Sequence, residues 1–203
     1  MPSLNWFSRG ILLISTVLAS RLAQAHTGVD AGQHHDALMQ GLLHPLGGID
    51  HISAAIAVGV WGALFCRRAV TAPAVFVLSM ALGAVLGGSG LAIEGVETVI
   101  ASSVLVLGGL LVAGRFVPAS WALAGLAAFA AAHGLAHGHE LANTPNAALA
   151  LLGLMLTTAA LHGVGMALAK HLLTQRVWLQ RSIGLGLGVL GSALLLMTAG
   201  GLA

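Results

Sequence analysis

Charge is what this chain has least of: of its 203 residues only 7% are Asp, Glu, Lys or Arg. A soluble domain carries about 25%, so the chain cannot cover itself with a water-compatible surface. Tyrosine is absent, aromatic residues make up 4%, and there is one cysteine. That lone Cys66 excludes an internal disulfide framework and every Cys-rich zinc or iron–sulfur motif. The sequence pI near 9.5 rests on a formal net charge of +2, without a basic patch or an aromatic platform, which removes nucleic acid as a partner. No Walker motif is present. The run Gly186-Leu187-Gly188-Val189-Leu190-Gly191 has the form G-x-G-x-x-G. No strand precedes it and it lies within an apolar stretch, so it is not read as a nucleotide loop.

What is present is hydrophobic: 58% of the residues are apolar and mean hydropathy is +0.96. The pattern predicts an all-α membrane protein in three parts: a signal peptide at 1–25, a His-containing outer segment at 26–36 and a six-helix transmembrane domain at 37–203. Arg9, the apolar run Ile11 to Ala19 and Ala23-Gln24-Ala25 form the signal-peptide signature. Cleavage there exposes His26, whose α-amine and imidazole together can chelate a metal. Residues 37–43 are too few to span, and Pro45 with Gly47-Gly48 breaks what they begin, so a short half-helix is expected before helix one. Six spans then follow, at roughly 50–65, 73–93, 96–114, 119–137, 147–169 and 183–202, with an amphipathic stretch at 170–182 on the inner leaflet.

Arg67, Arg68, Arg115, Lys170, Arg176 and Arg181 all fall in loops on one side of such an arrangement. The positive-inside rule makes that side the cytoplasm and leaves the mature N-terminus outside, in a multi-pass protein of the bacterial inner membrane. Trp61, Trp121 and Trp178 are expected at the inner interface. Glycines inside the spans, 28 in the chain as a whole, are read as devices for close helix packing.

Against six acids stand ten histidines, and their placement carries the functional argument. His44-Pro45-Leu46-Gly47-Gly48-Ile49-Asp50-His51 opens helix one, and His133-Gly134-Leu135-Ala136-His137-Gly138-His139-Glu140 closes helix four. Polar groups at these depths are expensive unless they serve a purpose, so the two clusters are read as one divalent-metal site. His133, His137 and Glu140 project within about 40° of one direction on a helix. Asp50 and His51 differ by about 100°, so either Asp50 ligates while His51 relays, or Asp50 orients an imidazole from behind. Imidazole and carboxylate suit nickel, zinc or cobalt ahead of copper(I). Glu97 can start helix three facing this site. His162 lies about 15 residues into helix five, roughly 25 Å below its outer start, beyond direct reach of the outer cluster. It is read as a packed histidine or an inner way-station.

These motifs resemble the HupE/UreJ family: a signal leading to a mature His, His-Pro-x-x-Gly-x-Asp-His at 44–51, Glu97 ahead of Ala-Ser-Ser-Val-Leu-Val-Leu-Gly at 101–108, and His-Gly-x-Ala-His-Gly-x-Glu at 133–140. The resemblance implies a nickel permease, with cobalt handled by some relatives, that supplies hydrogenase or urease maturation. No catalytic cofactor is implied, and the bound ion is the cargo. Carried over by motif, His44, Asp50, His51, Glu97, His137 and Glu140 are the transport residues, with His133 added. The alternative from another class is an intramembrane zinc-dependent hydrolase acting on a lipid-like substrate, which needs similar ligands.

Overall fold

A computed structural model describes residues 37–142, 144–174 and 176–199. The signal peptide and the outer segment, with His26, lie outside the described residues. Seven helices are described: α1 (Ala37–Gly47), α2 (Ile49–Phe65), α3 (Thr71–Gly88), α4 (Val96–Ala113), α5 (Ala119–Leu141), α6 (Ala147–Leu168) and α7 (Val177–Ala199). There is no strand among the described residues. Helices α3 to α7 are each long and apolar enough to cross a membrane, and α1 with α2, bent by 83°, are together long and apolar enough to make a broken span or a re-entrant pair.

The half-helix expectation holds, with one difference. Pro45 is accommodated in the last turn of α1, and the break falls at Gly48, whose backbone is extended. The extended glycine does the turning.

Glycine sets the helix contacts. A Cβ at Gly83 or Gly87 of α3 would strike the backbone of α5, and one at Gly134 or Gly138 of α5 would strike α3. The two helices therefore touch backbone to backbone, in parallel. Gly108 of α4 meets Gly184 and Gly188 of α7, and Gly191 meets Leu105, an antiparallel seam. Along α6 the contacts run in order: Gly41 of α1 lies against Ala150, Leu42 accepts a hydrogen bond from Thr157 at 2.8 Å, and Gly59 of α2 abuts His162. In lipid, where burial of apolar surface drives nothing between helices, such close approach is the principal glue.

These directions are those of an up-and-down bundle, and they collect Arg67, Arg68, Arg115, Lys170, Arg176 and Arg181 at one end. Trp121 and Trp178, 76% and 66% exposed, stand at that end too. Trp61, close to the same end of α2, is 1% exposed and part of the core with Val58, Leu107 and Leu111, so it packs rather than anchors. Residues 170–182 form no separate surface stretch. The chain continues α6 as a π turn over Ala169–Leu173, and α7 starts at Val177, six residues earlier than its apolar run suggests. Gln180 explains the early start, because its buried amide donates to the Leu111 carbonyl of α4 at 2.7 Å.

Candidate metal site

Four helices deliver polar side chains to the end of the bundle opposite the basic residues. His44 comes from the last turn of α1, Asp50 and His51 from the first turn of α2, and Glu97 from the first turn of α4. α5 contributes His133, His137 and Glu140. It runs unbroken through Gly138 to Leu141, so His133, His137 and Glu140 keep helical spacing. Gly138 does not end the helix because its missing side chain is taken up by α3, against Ala84.

His44, His51 and His137 each place a ring nitrogen so that all three lie within 4.8 Å of one another. The closest pair is His51 Nε2 and His137 Nε2 at 3.0 Å. Two nitrogens held about 2.0–2.1 Å from one first-row metal stand roughly 2.9–3.4 Å apart, for angles between square and tetrahedral. That pair is therefore already at ligand spacing, with His44 beside it. The rings of His44 and His137 are edge to face, with centroids 4.7 Å apart.

A carboxylate lies behind each of the close imidazoles. Asp50 Oδ1 is 3.1 Å from His51 Nδ1, an ion-pair distance without hydrogen-bond alignment. Glu140 Oε2 is 3.5 Å from His137 Nδ1. A carboxylate beside Nδ1 favours the tautomer protonated there, which turns the Nε2 lone pair outward. With both imidazoles in that state, two lone pairs face each other at 3.0 Å. They repel unless a proton or a cation sits with them. Of the two roles open to Asp50, the geometry matches orienting from behind, with His51 Nε2 facing His137 Nε2.

Depth is the principal difference from the sequence reading. A cavity of about 370 Å³, lined by His44, His51, Glu97, His137, His139 and Glu140, leads to the imidazoles. Along its wall the side chains pass from Glu140, 49% exposed, to His137, 8% exposed. His133, one turn further, is 3% exposed and donates Nδ1–H to the Phe129 carbonyl at 2.9 Å. Because α1 takes up the first part of the span, α2 begins deep, and His51 shares a small cavity with Leu154 and Thr158 of α6. His162 keeps its expected place 15 residues past Ala147 on α6, but the cluster itself lies deeper than expected: His162 Nδ1–H donates to Ala55 O at 2.7 Å, one turn along α2 from His51.

Glu97 and the 133–140 motif thus converge with the 44–51 motif. A family profile described as HupE / UreJ protein matches residues 14–194. The chain belongs to the HupE/UreJ family. Protein HupE of Rhizobium leguminosarum bv. viciae is 39% identical over 162 residues, covering 77% of this chain and 83% of the relative. No solved structure matches.

Sequence reasoning missed three residues of this HupE/UreJ chain. Phe76 and Met80 of α3 and Thr158 of α6 line the small cavity beneath His51. Neither an apolar residue in an apolar helix nor a lone threonine carries a signal, and only the α3–α5 glycine seam brings Phe76 to His133. His139, left without a role, lines the wide cavity.

Proposed function

We propose that this chain is a secondary permease that moves a divalent cation, nickel first with cobalt or zinc as alternatives, inward across the bacterial inner membrane for hydrogenase or urease maturation. The observation that carries the proposal is the His51–His137 pair: two imidazole nitrogens at 3.0 Å, each with a carboxylate at its far side and a third imidazole beside them. Neutral imidazole suits nickel, cobalt and zinc, and no thiolate competes because Cys66 caps the far end of α2.

In this reading the cavity side faces the periplasm and the basic end faces the cytoplasm. Glu97, Glu140 and His139 attract the hydrated ion to the cavity, and His26 in the outer segment captures it before that. Stripping water from the ion is the difficult step. His44, His51 and His137 replace part of the lost shell, while Asp50 and Glu140 supply the negative charge that offsets a divalent cation at low dielectric. An inside-negative potential of 100 mV then favours passage by about 4.6 kcal/mol for two charges, so ATP is not required.

Uptake of radiolabelled nickel into proteoliposomes tests the proposal. The wild-type chain should accumulate nickel under an inside-negative potential, and His44→Ala should abolish uptake while membrane abundance stays unchanged. Undiminished uptake by His44→Ala would remove the site. Metal-dependent ester cleavage without flux would replace the permease by the intramembrane hydrolase.

A further inference from the structure

Among the described residues, three buried side-chain nitrogens have no hydrogen-bond partner: His51 Nδ1, Trp61 Nε1 and His162 Nε2. The first faces Asp50 and belongs to the site above. Trp61 Nε1 carries a hydrogen and cannot bind a cation. His162 Nε2 is different. Its ring is 0% exposed, and the Nδ1–H donated to Ala55 O at 2.7 Å fixes the tautomer, leaving a lone pair on Nε2 with no donor to meet it. A buried polar atom left unsatisfied is costly, so its persistence calls for an occupant. A backbone carbonyl that holds one ring nitrogen so that the other is presented is the same device that orients metal-bound histidines.

His162 has a counterpart. His133 donates its Nδ1–H to Phe129 O and is likewise left with Nε2 for other use. The phenyl ring of Phe76 lies between them, its centroid 5.9 Å from that of His133 and 5.2 Å from that of His162, edge to face with the latter at 80°. Above the ring, a cavity of about 10 Å³ lined by His51, His133, His137, Met80 and Thr158 has room for about one water-sized particle. His51 and His133 are 5.7 Å apart by ring centroid. The imidazoles thus descend in a line from the cavity toward the basic end, interrupted once, by Phe76. The glycine contacts hold the lower end fixed, because Gly59 lies against the His162 backbone and Gly165 against α2 at Ile56.

We propose that His162 Nε2 forms a second station for the divalent cation on the inner side of Phe76, that His133 Nε2 stands on the outer side of the ring, and that rotation of the Phe76 ring passes the ion from His51–His137 to His162. The proposal rests on the permease reading, but its tests separate the two. The purified full chain in detergent, titrated with Ni²⁺ alone, should bind two ions per chain within the helical domain, besides any held at His26 of the outer segment. His162→Gln retains an amide able to donate to Ala55 O. It should weaken the second binding event at least tenfold, leave the first unchanged and slow uptake. His44→Ala should do the reverse in binding. If His162→Gln binds two ions as the wild type does, the inner station is wrong.

Should that variant fail to fold, the wild-type protein decides. A crystal grown with excess Ni²⁺ should show two anomalous peaks, one of them about 2.1 Å from His162 Nε2. A single peak at His44, His51 and His137 overturns the inner station and leaves the permease standing, and absence of both peaks overturns both.

Discussion

His51 Nε2 and His137 Nε2 at 3.0 Å are the smallest unit of the account. Their behaviour depends on the carboxylates behind them more than on the rings. Asp50→Asn preserves shape but removes the charge that orients His51. Loss of such a supporting group weakens metal affinity by about 10–100-fold. Calorimetric titration of the purified variant with Ni²⁺ should show that loss with the fold intact; an unchanged affinity would mean that Asp50 does not support His51. The sequence made these residues legible because two imidazoles and a carboxylate at the start of an apolar run have few reasons to be there. It could not say which of Asp50 and His51 faces the ion, because helical angle alone gives about 100° of separation and no direction. Phe76 carried no signal at all, since an aromatic residue among apolar ones looks like packing.

At the scale of helices, the site depends on contacts that contain no site residue. α3 and α5 meet through Gly83, Gly87, Gly134 and Gly138, and a side chain at any of them collides with the opposing backbone. Gly134 stands beside His133 and opposite Met80, so its replacement displaces both walls of the small cavity. Overpacking of this kind costs about 1–3 kcal/mol, and more where backbone is struck. Gly134→Val is therefore expected to lower the thermal midpoint and to abolish nickel binding. Gly186→Val should do neither, because nothing approaches that position within 4 Å. Differential scanning fluorimetry with a nickel titration on both variants checks the contrast. The helices themselves were readable from hydropathy, and their ends were not: α7 starts at Val177 because of one buried glutamine, and α5 continues past Gly138 because α3 fills the place of a side chain. Both are tertiary effects, invisible to a local pattern. The nearness of His162 to α2 was missed for the same reason, since only the 83° bend between α1 and α2 lowers the start of α2 into the bundle.

For the whole molecule, polarity along the bundle axis is the organising feature. Among the described residues, the acidic side chains and His44, His51, His133, His137 and His139 stand toward one end, and the six Lys and Arg side chains with His171 at the other, an asymmetry of Lys and Arg legible from loop charges before any fold is known. Single cysteines introduced at Ser89 and at Arg115 in a Cys66→Ser background should label from opposite sides of the cell membrane, the first from outside. Labelling of both from one side would break the up-and-down arrangement. Uptake should also follow membrane potential, collapsing with a potassium ionophore at equal potassium and rising as the potential is made more negative inside.

The central claim is that three imidazoles from α1, α2 and α5 close on one cation. X-ray absorption at the nickel edge of the purified chain, loaded with one equivalent of Ni²⁺, reads the coordination shell directly. The account expects the multiple-scattering pattern of three imidazoles with Ni–N distances of about 2.0–2.1 Å, falling to two imidazoles in His44→Ala. A shell of oxygen atoms alone, identical in wild type and His44→Ala, would contradict it.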